Sequence, residues 1–321
     1  MYEIINHGLI FNPSEILDCP DCMVDYAQAP NAVVLDDKVR IYFCTRGRPD
    51  KNNMFISRLA FIDVLKSNLK EIVSISQQPC LDLGKLGEFD EFGTYPVSVL
   101  KHKNMFYACY GGWTRCESVP FDVSLGMSES TDGISFNKFG NGPVLGAYMD
   151  EPFVITSPKL RYYNNKFVLS YLSGTKWFLD SNNRAEIIYK IRMAFSDDLK
   201  HWTRLGKNII SDKLGPDEAQ ACGDIFFKND IYHMFFCYRQ ALDFRTNPNN
   251  SYKIGYAFSK DLISWQRNDD MVSSFDISIK GWDSEMVAYP NIFEVDSKIY
   301  MLYGGNGNGK TGFGLAEIVD F

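Results

Sequence analysis

The sequence has no basic run, no long apolar stretch and only four histidines, and each shortage excludes a class of function. Lys and Arg number 33 against 40 Asp and Glu, a net charge of −7, with no cluster forming the basic stripe a nucleic-acid surface needs. No apolar segment approaches the ~18 residues of a membrane-spanning helix. Residues 1–8 (MYEIINHG) lack the basic-then-apolar pattern of an export leader, so a cytoplasmic location is expected. With His7, His102, His201 and His233 scattered, Cys19 and Cys22 form a lone CxxC, short of the second pair or spaced histidines of a zinc site. No nucleophile elbow and no HExxH is present. The glycine-rich segment Gly304–Lys310 lacks the strand–GxxxxGK[ST]–helix setting of a phosphate loop. Neither a cofactor nor a metal is expected from the residues.

Aromatic residues are plentiful, with 24 Phe and 18 Tyr making up most of the 15% aromatic content. That favours strands. Hydrophobic residues at 45% and charged residues at 23% describe a globular protein of 321 residues, long enough for a large core. Eight cysteines read as reduced thiols, among them Cys44 and Cys237 inside apolar runs.

A fivefold internal repeat organises the chain. Residues 29–46, 95–112, 157–174, 222–239 and 289–306 share a small or aromatic residue, then Pro or Gly, an apolar strand, a polar turn and a second aromatic-rich strand. The anchors Pro30, Pro96, Pro158, Gly223 and Pro290 are separated by 66, 62, 65 and 67 residues. Turns such as Asn164-Asn165-Lys166 and Asp296-Ser297-Lys298 mark each repeat as a hairpin. Proline in such a hairpin is expected at the first residue of a strand. A second hairpin follows, clearest in 189–202 and 252–265, where a Ser-x-Asp turn precedes a returning aromatic. The pattern predicts an all-β, five-bladed β-propeller with four-stranded blades, forming one domain over residues 1–321 with inner hairpins starting near 29, 95, 157, 222 and 289. The fifth unit ends after its third strand, so a strand from Gly8-Leu9-Ile10-Phe11-Asn12-Pro13 is expected to close the ring.

Residues just before each anchor, and those 16 after it, share one rim. Acids recur there: Asp25, Glu91, Glu218 and Glu285 each stand five residues before an anchor, with Asp90, Glu151, Asp217 and Asp283 close by. Carboxylates crowded around one axis cannot all ionise, so their pKa values split and supply an acid and a base at once. Glu218 and Glu285 are the expected acid–base pair, with Asp90 and Glu151 tuning them. Arg46 and Arg239 are placed to hold a hydroxyl or a phosphate. Gln28, Gln220 and Asn306 offer hydrogen bonds, and Trp113, Trp177 and Trp282 offer flat faces for stacking. Trp202 and Trp265, in the outer hairpins, read as blade packing.

The anchored hairpins, together with Phe-Ser-Asp-Asp-Leu-x-x-Trp at 195–202 and Phe-Ser-Lys-Asp-Leu-x-x-Trp at 258–265, resemble the five-bladed propeller glycosidases, the superfamily of glycoside hydrolase families 43, 32, 68 and 130. The resemblance runs the length of the chain. It implies an enzyme acting on a glycosidic bond of a saccharide or glycoconjugate, most simply a hydrolase with paired carboxylates. A phosphorylase, a glycosyltransferase or a non-catalytic sugar-binding propeller remains open on the same scaffold. A structural calcium in the axial channel is implied by analogy only. Those families often place an Asp directly before the first-blade proline, where this chain has Ala29, and the acid Glu one or two residues before a later anchor, where it has Ala221 and Cys222.

Overall fold

The computed structural model describes residues 1–16 and 19–321. Among the described residues, twenty strands form five four-stranded antiparallel sheets, which are the five blades. The inner strands are Asp25–Val34, Thr94–His102, Ile155–Tyr163, Ala219–Lys228 and Ala288–Val295, in blades one to five. Within each blade the first three strands run in chain order outward from the axis. In blades two, three and four the outermost strand is only Asn137–Lys138, Thr203–Arg204 and Gln266–Arg267. Blade five borrows its outer strand from the other end of the chain. Glu3–Phe11 pairs antiparallel with Phe313–Val319, with Glu3 opposite Val319, as the incomplete fifth repeat required. Stacking of Tyr2 on Phe321, with centroids 4.9 Å apart, locks the two ends together.

The anchors do not begin their strands. Pro30 is the sixth residue of its strand and Pro96 the third, and the pairing register shifts across every anchor. Each anchor therefore sits in a β-bulge, the other place a sheet tolerates proline. One to three residues after each anchor a side chain joins a belt of bonds between neighbouring blades. Asn31 Oδ1 accepts from the amide of Val99 at 3.1 Å, and Ser98 Oγ accepts from that of Leu160 at 2.9 Å. Arg161 donates to the carbonyl of Ile225 at 2.9 Å. Asp224 accepts from the amide of Ile292 at 2.6 Å, and Asn291 from that of Ala32 at 2.7 Å, which returns the belt to blade one. Side-chain atoms thus take the place of a sheet ladder between inner strands.

The second hairpins end in one repeated turn. In Ser130/Asp132, Ser196/Asp198 and Ser259/Asp261 the serine hydroxyl donates to the aspartate at 2.8–3.2 Å. That aspartate accepts from the amides two and three residues on. The residue following it is left-handed in each: Gly133, Leu199 and Leu262. These bonds reproduce an Asx turn and set the angle at which Trp202 and Trp265 pack against their blades. Residues 205–210 are not a strand, although Ile209 and Ile210 are buried.

Candidate active site at the axial mouth

The bulges decide which side chains reach the axis. The residue immediately before the anchor is left-handed in four blades: Ala29 (φ 50°), Ser157 (50°), Cys222 (54°) and Tyr289 (56°). The fifth, Tyr95, precedes a cis proline. Positive φ is uncommon for any of these residue types, and it persists only where the surroundings enforce it. The result is an axial ring of Ala29, Tyr95, Ser157, Cys222 and Tyr289, each 8% exposed or less. Tyr95 donates to the hydroxyl of Tyr289 at 2.8 Å, from blade two to blade five. Burial pushes both phenols well above their ordinary range, so they act as neutral hydrogen-bonding groups.

A second aromatic layer surrounds the ring. The hydroxyls of Tyr189 and Tyr252 are hydrogen-bonded, and Arg239 donates to Tyr189 at 3.3 Å. The Arg239 guanidinium lies 3.6 Å from the Phe244 ring centroid and donates its remaining hydrogens to carbonyls of Gln240, Ala241 and Ile187. Below the ring, Lys159 is 3% exposed and its Nζ has no hydrogen-bond partner. Burial brings its pKa down, opposed by Asp224 and Cys222 nearby. Among the described residues, neither Arg239 nor Lys159 has a carboxylate within ion-pair distance.

The strap Asn306–Gly309 covers the ring from the blade-five side. Gln28 Nε2 donates to the carbonyl of Asn308 at 2.6 Å, and Tyr289 donates to its side chain at 3.4 Å. Gly309 is required here: at φ 85°, an added Cβ would lie 2.7 Å from the carbonyl oxygen of Ala27. Asn306 ties the strap to its own blade by accepting from the amide of Glu285 at 2.7 Å.

The acids at the rim share a register but not an environment. Asp90, Glu151, Glu218 and Asp283 are 2% exposed or less and turn into their own blades. Asp90 accepts from Tyr110 at 3.0 Å and pairs with Lys138 at 2.7 Å. Glu151 accepts from Tyr171 and pairs with Arg192 and Arg204, the latter at 2.7 Å. Glu218 pairs with Arg267 at 2.6 Å and accepts from the amides of Lys213 and Leu214 and from Gln220. Asp283 accepts from Tyr303 at 3.0 Å. Each such carboxylate staples the loop entering a blade to that blade's second strand, its outer strand, or both.

Other predicted residues stay at the mouth. Asp25 opens the blade-one strand opposite Arg46, whose guanidinium lies 4.1 Å from the Tyr26 centroid. Glu91 accepts from the amide of Gly87. Asp217 is exposed, 3.6 Å from Lys176. Trp113 donates to the carbonyl of Tyr95 at 2.5 Å, and Phe121 bridges its ring to that of Trp177. Trp282 packs inside blade five against Gly305 and Tyr303. Glu285 is exposed and lines a cleft of about 90 Å³ with Phe244, Arg245, Thr246, Pro248, Ser251 and Met286. No ion pair engages it among the described residues. Nor do any three His, Cys, Asp or Glu of those residues converge as metal ligands.

Several participants escaped the sequence reading: Lys159, Tyr189, Tyr252, and the ring formed by Tyr95, Ser157, Cys222 and Tyr289. The outer-strand cations were legible by register, because Lys138, Arg204 and Arg267 each follow the turn aspartate by six residues.

No family model matches the sequence. An uncharacterized protein of Mycobacterium tuberculosis, found in strains CDC 1551 / Oshkosh and ATCC 25618 / H37Rv, is 30% identical over 313 residues, 97% of this chain and 97% of that protein. A beta-1,2-mannobiose phosphorylase of Thermoanaerobacter sp. (strain X514) is 26% identical over 173 residues, 50% of this chain and 54% of the enzyme. A solved structure titled glycoside hydrolase superposes with a TM-score of 0.72 at 15% identity, over 98% of this chain and 90% of its own.

Proposed function

Since the chain belongs to the family of the Mycobacterium tuberculosis protein and has the five-bladed fold of the propeller glycosidases, we propose that it is a carbohydrate-active enzyme acting on a glycosidic bond. One observation carries the reading: the left-handed bulges bring hydroxyls, a thiol and aromatic faces from separate blades to one axis, beneath a mouth that holds a carboxyl without an ion pair. Aromatic faces bury the apolar sides of a sugar ring while hydroxyls and guanidinium groups take its polar rim.

In this reading Glu285 is the acid–base group at the mouth, since no ion pair among the described residues engages its carboxyl. Asp25, Glu91 and Asp217 supply further carboxylates, and Gln28, Arg46, Trp113, Trp177 and Arg239 position the sugar. The ion pairs of Asp90, Glu151 and Glu218, and the tyrosine bond of Asp283, support a role in holding the mouth loops, with Gln220 and Asn306 assisting. A cytoplasmic setting is supported by the eight free thiols.

Hydrolysis is the simplest reaction. Phosphorolysis is favoured by a separate observation: Lys159 is buried and its Nζ has no hydrogen-bond or carboxylate partner among the described residues, which would suit a phosphate oxygen. The test is product analysis on a panel of disaccharides and aryl glycosides, with and without inorganic phosphate. Free sugar without phosphate indicates hydrolysis, and sugar 1-phosphate indicates phosphorolysis. Sugar binding without turnover of any donor would reduce the protein to a sugar-binding propeller.

A further inference from the structure

We propose that the mouth face docks on an anionic lipid bilayer, through the loop tips Lys85-Leu86, Lys213-Leu214 and Ile279-Lys280. The inference stands apart from the glycosidic reading. Where both hold, the saccharide that enters the mouth is one carried on a lipid.

The three tips are one device repeated. Each belongs to the loop that enters a blade where its inner strand begins, so all three stand on the mouth face. Each turns on a left-handed glycine: Gly87 (φ 84°), Gly215 (101°) and Gly281 (111°). These glycines stand nine, eight and nine residues before the anchors of blades two, four and five. A Cβ added at any of them would meet nothing within 4 Å, so the turns stand clear of the body. Before each glycine come a lysine and an aliphatic residue. Leu86 is 93% exposed, Leu214 37%, and Ile279 is fully exposed. Of sixteen exposed large hydrophobic residues among the described ones, ten lie on loops or strand ends of this face. Every blade supplies at least one, with Val24 and Phe55 rising from blade one and Met149 from blade three. Single exposed apolar side chains are ordinary, but a ring of them on one face marks a binding surface.

The free charge at the tips is positive, although the protein is acidic overall. Acids in the same loops are already engaged. Glu88 accepts from the amide of Lys85 at 2.8 Å, and Glu91 from that of Gly87. Asp212 pairs with Lys190 at 2.6 Å, Asp217 with Lys176 at 3.6 Å and Asp276 with Lys253 at 3.3 Å. Among the described residues no ion pair engages Lys85 or Lys280, and Lys213 meets Asp269 at 3.3 Å. An ammonium beside an aliphatic side chain matches the boundary between lipid phosphate and acyl chain. The tips rise from three separate blades, so a partner must meet several separated points at once. A fluid bilayer does so without a shape of its own. A second copy seated mouth to mouth would close both entrances.

The test floats the full-length protein with unilamellar vesicles of phosphatidylcholine, alone or with about 30% phosphatidylglycerol. The protein is expected to float with the anionic vesicles only, and less at about 0.5 M salt. Leu86→Ser/Ile279→Ser and Lys85→Gln/Lys280→Gln should each weaken binding roughly 10-fold or more while melting with the wild type. Ile134→Ser/Ile263→Ser, changed in exposed turns of the opposite face, should leave binding intact. No flotation with anionic vesicles, or flotation that both tip variants retain, would overturn the proposal. Self-association that Leu86→Ser/Ile279→Ser abolishes, without vesicle binding, would overturn it in favour of a second copy. Turnover of soluble glycosides by a protein that does not float would overturn the docking alone. Flotation by a protein that turns over no glycoside would support the docking and overturn the glycosidic reading.

Discussion

Glu218 and Arg267 form an ion pair of 2.6 Å between side chains only 0% and 6% exposed. It joins the loop entering blade four to that blade's outer strand, and Arg267 continues to Asp269 at 3.0 Å. Removing one charge from such a pair strands the other in a low-dielectric site. Glu218→Gln is expected to cost about 3–5 kcal/mol of stability. The double variant Glu218→Gln/Arg267→Met should lose less than the sum of the single losses, by 0.5 kcal/mol or more on the order-of-magnitude scale of contacting pairs. Urea denaturation of the four proteins measures this coupling.

Glu285 should behave in the opposite way. It is exposed and, among the described residues, has no side-chain hydrogen bond or ion pair to lose. Glu285→Gln is expected to leave the melting temperature within about a degree while lowering kcat by roughly 10²–10⁴-fold. Calorimetry and initial rates on the best donor check both halves.

The strap is predicted to depend on Gly309. Gly309→Ala forces a Cβ against the Ala27 carbonyl at a left-handed position. A loss of about 1–3 kcal/mol follows, together with a raised KM as the mouth is disturbed. The loss is read by thermal melting and the KM by saturation kinetics.

Acid should loosen the closure of the ring. His233 accepts or donates at Tyr2 and Tyr256, stacks edge-on against Phe321 and contacts the carbonyl of Lys228. Burial holds its pKa below the usual imidazole value. Below about pH 6.5 the unfolded chain therefore takes up a proton that the native state does not. Stability should fall as pH drops from there to the native-state pKa, and then level off for this group. His233→Gln should flatten that part of a denaturation-against-pH curve.

The fold was legible because repetition and periodicity are properties of the chain itself. Matched anchors at Pro30, Pro96, Pro158, Gly223 and Pro290 marked five inner strands, and the short fifth repeat pointed to a closing strand at residues 8–13, which overlaps the observed Glu3–Phe11. The site was harder to read, because register says where a residue stands and not which way it turns. Glu218 and Glu285 share a register, yet one meets Arg267 and the other faces a cleft. Nothing local distinguishes them until a cation six residues beyond Asp261 is seen to lie against the first. Lys159 and Cys222 were hidden in apolar strands, where the default reading of each is core, and the bulge that turns Cys222 inward depends on a pairing register that no single segment records.

A crystal soaked with the tightest-binding sugar tests the central claim most directly. The account predicts the sugar in the mouth, its ring against the aromatic faces, with hydroxyls reaching Arg239 and Glu285 and the strap displaced. A sugar seated only on the outer edges of the blades, with the strap and the axial ring undisturbed, would contradict it.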